Sequence, residues 1–123
     1  MTTKKVLIAD DDESYRRSLK MLVETHGYKV DIAKNADEEI DAAKKEEYEL
    51  IITDKDMEDN YGREGGLHAV KEIRKFNSKT PILLSSSALT DDDKKTLSQY
   101  KKVDTCSKID IYQKLKKALG KEK

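Results

Sequence analysis

Asp10 and Asp11, Asp54, the run Ser85-Ser86-Ser87 and Lys108 carry the side chains of most chemical interest in this 123-residue chain. Brought together, three carboxylates repel one another: at ~4 Å and an effective dielectric of ~20, each pair costs on the order of 4 kcal/mol. Such a cluster takes up protons or holds a hard cation, and carboxylate oxygens suit Mg²⁺. A lysine and a hydroxyl beside that ion complete a cradle for phosphate. Metal and ammonium neutralise phosphoryl oxygens while the hydroxyl donates a hydrogen bond. A carboxylate next to the metal is also placed to attack phosphorus and become an acyl phosphate. Because 25 of the 123 residues are acidic, one aspartate alone says nothing. What matters is whether the fold delivers these groups to one place.

The elements that must do so are legible as two alternating kinds of segment. Residues 6–9, 50–52 and 82–84 are short continuous apolar runs, the pattern of strands covered on both faces. Residues 28–32 alternate, as a half-buried strand nearer an edge does, and residues 103–107 form the faintest strand, with only Val103 and Cys106 apolar. Between them lie helical stripes: Tyr15, Leu19, Leu22 and Val23, ending at Gly27; Ala36, Ile40 and Ala43, opened by Asn35 with Glu38; and Leu67, Val70 and Ile73, extended by Phe76. Thr90 with Asp93 resembles a further helix start, ahead of Leu97 and Tyr100, and Asp110 opens a last helix carrying Ile111, Leu115, Ala118 and Leu119. Five strand-helix units predict an α/β doubly wound domain, one parallel sheet with helices on both faces. Ligands of such sheets bind beyond the carboxyl ends of the strands. Asp10-Asp11, Asp54, the serines and Lys108 stand at the ends of strands one, three, four and five.

Composition narrows the function further. Lys plus Arg and Asp plus Glu both number 25, so the net charge is +0, which excludes a domain held on nucleic acid or an anionic membrane by overall charge. No apolar stretch approaches the ~20 residues a bilayer span needs. The single cysteine excludes an internal disulfide framework, and a cytoplasmic protein of one domain, residues 1–123, is expected. His26 is expected as a cation at a helix end and His68 on the third helix, neither with a metal-ligand spacing. Cys106 reads as a small core residue and Asp91-Asp92-Asp93 as favourable charge at a helix start.

These residues resemble the receiver domain of two-component response regulators. The segment from Val6 through Asp10-Asp11 to Leu19 is similar to the family's first strand and helix, Ile51-Ile52-Thr53-Asp54 to its phosphoacceptor strand, and Pro81 to Ser87 to the strand bearing its hydroxyl. Lys108 falls at its lysine position, and the resemblance spans essentially the whole chain. It implies a flavodoxin-like (βα)5 fold, strand order 2-1-3-4-5, and a signalling module that is not an enzyme. Asp54 is implied to be the phosphoacceptor. Asp10, Asp11 and Asp54, with the backbone carbonyl of Asp56, are implied to hold Mg²⁺; Ser86 and Lys108 would bind phosphoryl oxygens. The implied phosphodonor is a sensor histidine kinase, a phosphotransfer protein or a small acyl phosphate. Output would pass to a downstream protein target, with homodimerisation through the last two strand-helix units as one form of it, and with no direct contact to nucleic acid or membrane.

Three departures from the family pattern stand out. Ile109 replaces the proline after the lysine, Thr105 replaces the switch aromatic, and the stretch from Asp59 to Gly66 is about four residues longer than usual. A carboxylate at Asp56 is expected to modulate loss of phosphate from Asp54. Rival readings are a pseudo-receiver binding partners without phosphorylation, a haloacid-dehalogenase-like phosphatase using Asp54-Lys55-Asp56, and flavodoxin-type flavin binding. The phosphatase motif belongs after the first strand, however, and a loop with three consecutive aspartates repels a flavin phosphate.

Overall fold

The computed structural model describes residues 4–57 and 64–119. Five strands, β1 (Lys5–Ala9), β2 (Lys29–Ala33), β3 (Leu50–Asp54), β4 (Ile82–Ser86) and β5 (Val103–Ser107), alternate with α1 (Glu13–Thr25), α2 (Ala36–Lys45), α3 (Gly65–Arg74), α4 (Asp91–Leu97) and α5 (Ile111–Leu119). The strands form one sheet in the order β2-β1-β3-β4-β5, and every pairing is parallel. The two strands with the weakest apolar signal, β2 and β5, are the edges. The three continuous runs lie between them, where both faces are covered.

Side-chain alternation sorts the core into two layers. Leu7, Ala9, Ile51, Ile82 and Leu84 face Ala36, Ala43, Ala69, Val70, Ile73 and Leu97, so α2, α3 and α4 cover one face. Val6, Ile8, Leu50, Ile52 and Leu83 face Leu19, Val23, Ile111, Leu115 and Leu119 of α1 and α5 on the other. Each such side chain contributes roughly 1.5–3 kcal/mol by leaving water.

The helix starts follow the capping logic of the sequence. Asn35 accepts the Glu38 N–H through its side chain, and Thr90 with Asp93 forms a complete capping box. After α1 the chain turns through Gly27 at φ 91°, a left-handed conformation that favours glycine. The expected extension of the α3 stripe to Phe76 is corrected. The helix stops at Arg74, whose guanidinium donates to the carbonyls of Asn77, Thr80 and Lys101 and so draws the chain into a turn. Phe76 lies past that stop, 43% exposed, with the Lys44 ammonium 5.8 Å from its ring centroid. Of the lengthened 59–66 segment, residues 59–63 lie outside the described residues. Glu64 to Gly66 enter α3, and a Cβ on Gly66 would stand 2.6 Å from Lys55 Cα and press on the Asp54 carbonyl. That contact seats α3 directly under the loop after β3. Among the described residues no helix is long and apolar enough to cross a membrane.

Candidate functional site

The parallel register brings the carboxyl ends of β1, β3, β4 and β5 to one edge. Asp10 follows β1 and Asp54 closes β3, at 1% and 2% exposure, and Asp11 sits exposed at the rim. One carboxylate oxygen of each lies within 4.8 Å of the others. Lys108, just past β5, completes the cluster, with its Nζ 3.3 Å from Asp54 Oδ2 and 3.5 Å from Asp10 Oδ2. The convergence expected of these four residues is therefore present.

The two buried carboxylates are each aimed by a local bond. Asp10 Oδ1 accepts the Asp12 N–H at 2.8 Å, and Asp54 Oδ1 accepts the Asp56 N–H at 3.0 Å, which turns the second oxygen of each toward Lys108. The Asp10 carbonyl accepts from the Arg16 guanidinium at 2.8 Å, a buried bond that fastens the end of β1 to α1. One residue before Asp54, Thr53 donates to the fully buried Glu39 at 2.9 Å. Lys108 is anchored from behind by the Tyr15 ring, whose centroid lies 4.5 Å from Nζ.

Electrostatics match a site in which the negative charge outweighs the single ammonium of Lys108. Burial is the main cause that pushes the Asp10 carboxyl up to about 6, helped by the charges of Asp54 and Asp11 and opposed by the Asp12 N–H and Lys108. Burial also raises Asp54, against the Asp56 N–H and Lys108. Burial pulls Lys108 down, but Asp54 and Asp10 outweigh it and hold the ammonium above the usual lysine value. Asp10 Oδ2 is buried and accepts no hydrogen bond, so the donor set is two inward carboxylates and a rim carboxylate with oxygens to spare. Those residues fit a hard divalent ion, which would add the charge that one lysine does not supply.

The serine run divides. Ser85 and Ser86 are buried and Ser87 exposed; the Ser86 hydroxyl donates to Asp56 Oδ2 at 2.9 Å, and the Ser87 N–H approaches the same oxygen at 3.4 Å. Three contributors escaped sequence reasoning: Tyr15 as the bed of Lys108, Arg16 and Glu39; the Asp56 carboxylate was singled out, but not its bond to Ser86. Arg16 and Glu39 did leave a signal. Arg16 lies three residues before Leu19 and Glu39 three after Ala36, so each puts a charge inside an apolar stripe.

The sequence model of the response regulator receiver domain matches residues 6–119, and the chain belongs to that family. The uncharacterized transcriptional regulatory protein YkoG of Bacillus subtilis (strain 168) is 33% identical over 91 residues, 74% of this chain and 38% of YkoG. The chain thus spans well under half of that relative. Chemotaxis protein CheY4 of Vibrio cholerae superposes with a TM-score of 0.80 at 26% identity, over 98% of each chain. The receiver domain of Ssk1 from Saccharomyces cerevisiae, solved with the histidine phosphotransfer protein Ypd1, has the same fold at a TM-score of 0.80 and 21% identity, over 95% of this chain and 86% of that one. Family membership sets aside the phosphatase and flavin-binding alternatives.

Proposed function

We propose that this chain is a phosphorylation-dependent receiver that takes a phosphoryl group on Asp54. The observation that carries the reading is the convergence of Asp10, Asp11 and Asp54 on one edge with Lys108 bridging two of them. Asp54 Oδ2 is the attacking oxygen: it forms the new O–P bond as the donor's bond to phosphorus breaks, and the leaving group departs on the opposite side. Lys108 then pairs with a phosphoryl oxygen, and Ser86 donates to another. Asp10, Asp11 and Asp54, with the Asp56 carbonyl, would hold Mg²⁺, which supplies neutralisation of the phosphoryl oxygens.

The donor in this reading is a phosphohistidine, on a sensor kinase or on a phosphotransfer protein of the kind Ssk1 was solved with, or a small acyl phosphate. The new dianion draws Ser86 and Lys108 toward it and shifts the β4–α4 and β5–α5 units between two arrangements, which a downstream protein reads in the cytoplasm. A second copy of the chain, docked through the same units, is the homotypic form of that output. Thr105 and Ile109 replace the family's aromatic and proline, so other groups of those units carry the readout. The module binds and switches and is not a turnover enzyme.

Incubation with acetyl phosphate and Mg²⁺, followed by intact mass measurement, tests the reading. The natural chain gains one phosphoryl group and Asp54→Asn gains none. Equal gain by both, or gain by neither, removes it.

A further inference from the structure

Both side chains that follow Asp54 reach across to the β4–α4 segment. Asp56 Oδ2 accepts the Ser86 hydroxyl at 2.9 Å and faces the Ser87 N–H at 3.4 Å. Lys55 Nζ lies 2.9 Å from Asp93 Oδ2, with the two side chains 12% and 10% exposed. Asp93 also closes the capping box that begins α4. The loop after β3 therefore grips the β4–α4 connection at both of its ends.

The grip at Ser86 has a chemical consequence. A serine hydroxyl carries one hydrogen. Here it is spent on Asp56, while the Ser86 oxygen accepts the Ala88 N–H at 3.0 Å. Ser86 cannot donate to a phosphoryl oxygen until it leaves Asp56. We propose that the Asp56 carboxylate is a positioning residue that keeps Ser86 occupied in the unphosphorylated chain and so sets the threshold for switching. The inference rests on the reading of Asp54 as phosphoacceptor and Ser86 as its hydroxyl partner. A dianion on Asp54, two residues from Asp56, acts twice. It repels the Asp56 carboxylate and competes for the same proton donor. The Lys55–Asp93 pair is a second hold on the segment, away from the competing oxygen.

A bare charge effect of Asp56 predicts tighter anion binding on its removal too, so the test must separate the two. Beryllofluoride with Mg²⁺ serves as a phosphoryl stand-in, and its affinity for the full chain is read by NMR from the Ser87 and Ala88 amides. Asp56→Ala is made in the natural background and in Ser86→Ala, as a double-mutant cycle. In the natural background, Asp56→Ala should bind the anion about tenfold more tightly, the effect expected for one hydrogen bond to a charged acceptor. In the Ser86→Ala background that gain should fall to about twofold, the residue of the charge effect alone. Asp56→Ser, too short to span the gap, repeats the cycle if the alanine variant does not fold. Equal gains in both backgrounds, or no gain in either, overturn the latch. Failure of the natural chain itself to bind beryllofluoride instead overturns the reading of the phosphoacceptor site, and the latch with it.

Discussion

Asp10 shows how burial and function meet in one side chain. Its carboxyl is raised to about 6 because it sits out of water beside Asp54 and Asp11. If Asp10 holds Mg²⁺ as proposed, a proton competes for the same oxygen, and Mg²⁺ affinity measured by isothermal titration calorimetry should fall as pH drops through about 6. The metal-free chain shows the opposite trend in stability from this group. With the folded value above the unfolded one, the folded chain binds the proton first, so Asp10 favours folding as pH falls from 7 toward 5. Thermal melts in EDTA at these two pH values check the sign: the contribution of Asp10, taken as the difference from Asp10→Asn, should grow at pH 5. Arg16 acts through position alone. Arg16→Ala removes a buried charged donor from the Asp10 carbonyl and should cost about 1.5–3 kcal/mol in urea unfolding. The aspartates and Lys108 were legible in the sequence because each ends a recognisable strand. The pairing of the Asp56 carboxylate with Ser86 was not, since the two lie 30 residues apart and no local pattern records it.

At the scale of the elements, the strands and helix starts were the most legible parts. Thr90 and Asp93 declare a cap three residues apart, and the observed box is that reciprocal pair. Thr90→Ala should cost about 1 kcal/mol by the same denaturation measurement. Helix ends were less legible. Phe76 fits the apolar spacing of α3, yet the Arg74 bonds to three loop carbonyls end the helix first, a tertiary effect that periodicity does not contain. Gly66 was equally silent as a packing residue. Its missing side chain lets α3 touch the backbone of Asp54 and Lys55, so Gly66→Ala forces the backbone apart. The expected cost is about 1–3 kcal/mol, with displaced amide resonances at Asp54 to Asp56. An alanine variant with natural stability and an unmoved loop would contradict the close approach.

The whole molecule is a frame that holds charges of one sign together. Two apolar layers clamp the sheet, and burial of Leu7, Ile51 and Ile52 in its centre fixes where β1 and β3 end. The edge that results concentrates acid in a chain whose net charge is +0, so the local field, and not the overall charge, is what would attract the proposed cation. A ligand that binds only the folded chain stabilises it by mass action, about 2.7 kcal/mol at 100 times its dissociation constant. Saturating Mg²⁺ should accordingly raise the melting temperature, and Asp10→Asn should abolish most of that rise. The central claim is that Asp54, among 25 acidic residues, is the one that carries phosphate. Borohydride reduction of the chain after treatment with acetyl phosphate and Mg²⁺, followed by peptide mass mapping, addresses it directly, because reduction converts an aspartyl phosphate to homoserine. The account predicts homoserine at position 54 and its loss when EDTA replaces Mg²⁺. Homoserine at a different aspartate, with position 54 unchanged, would contradict it.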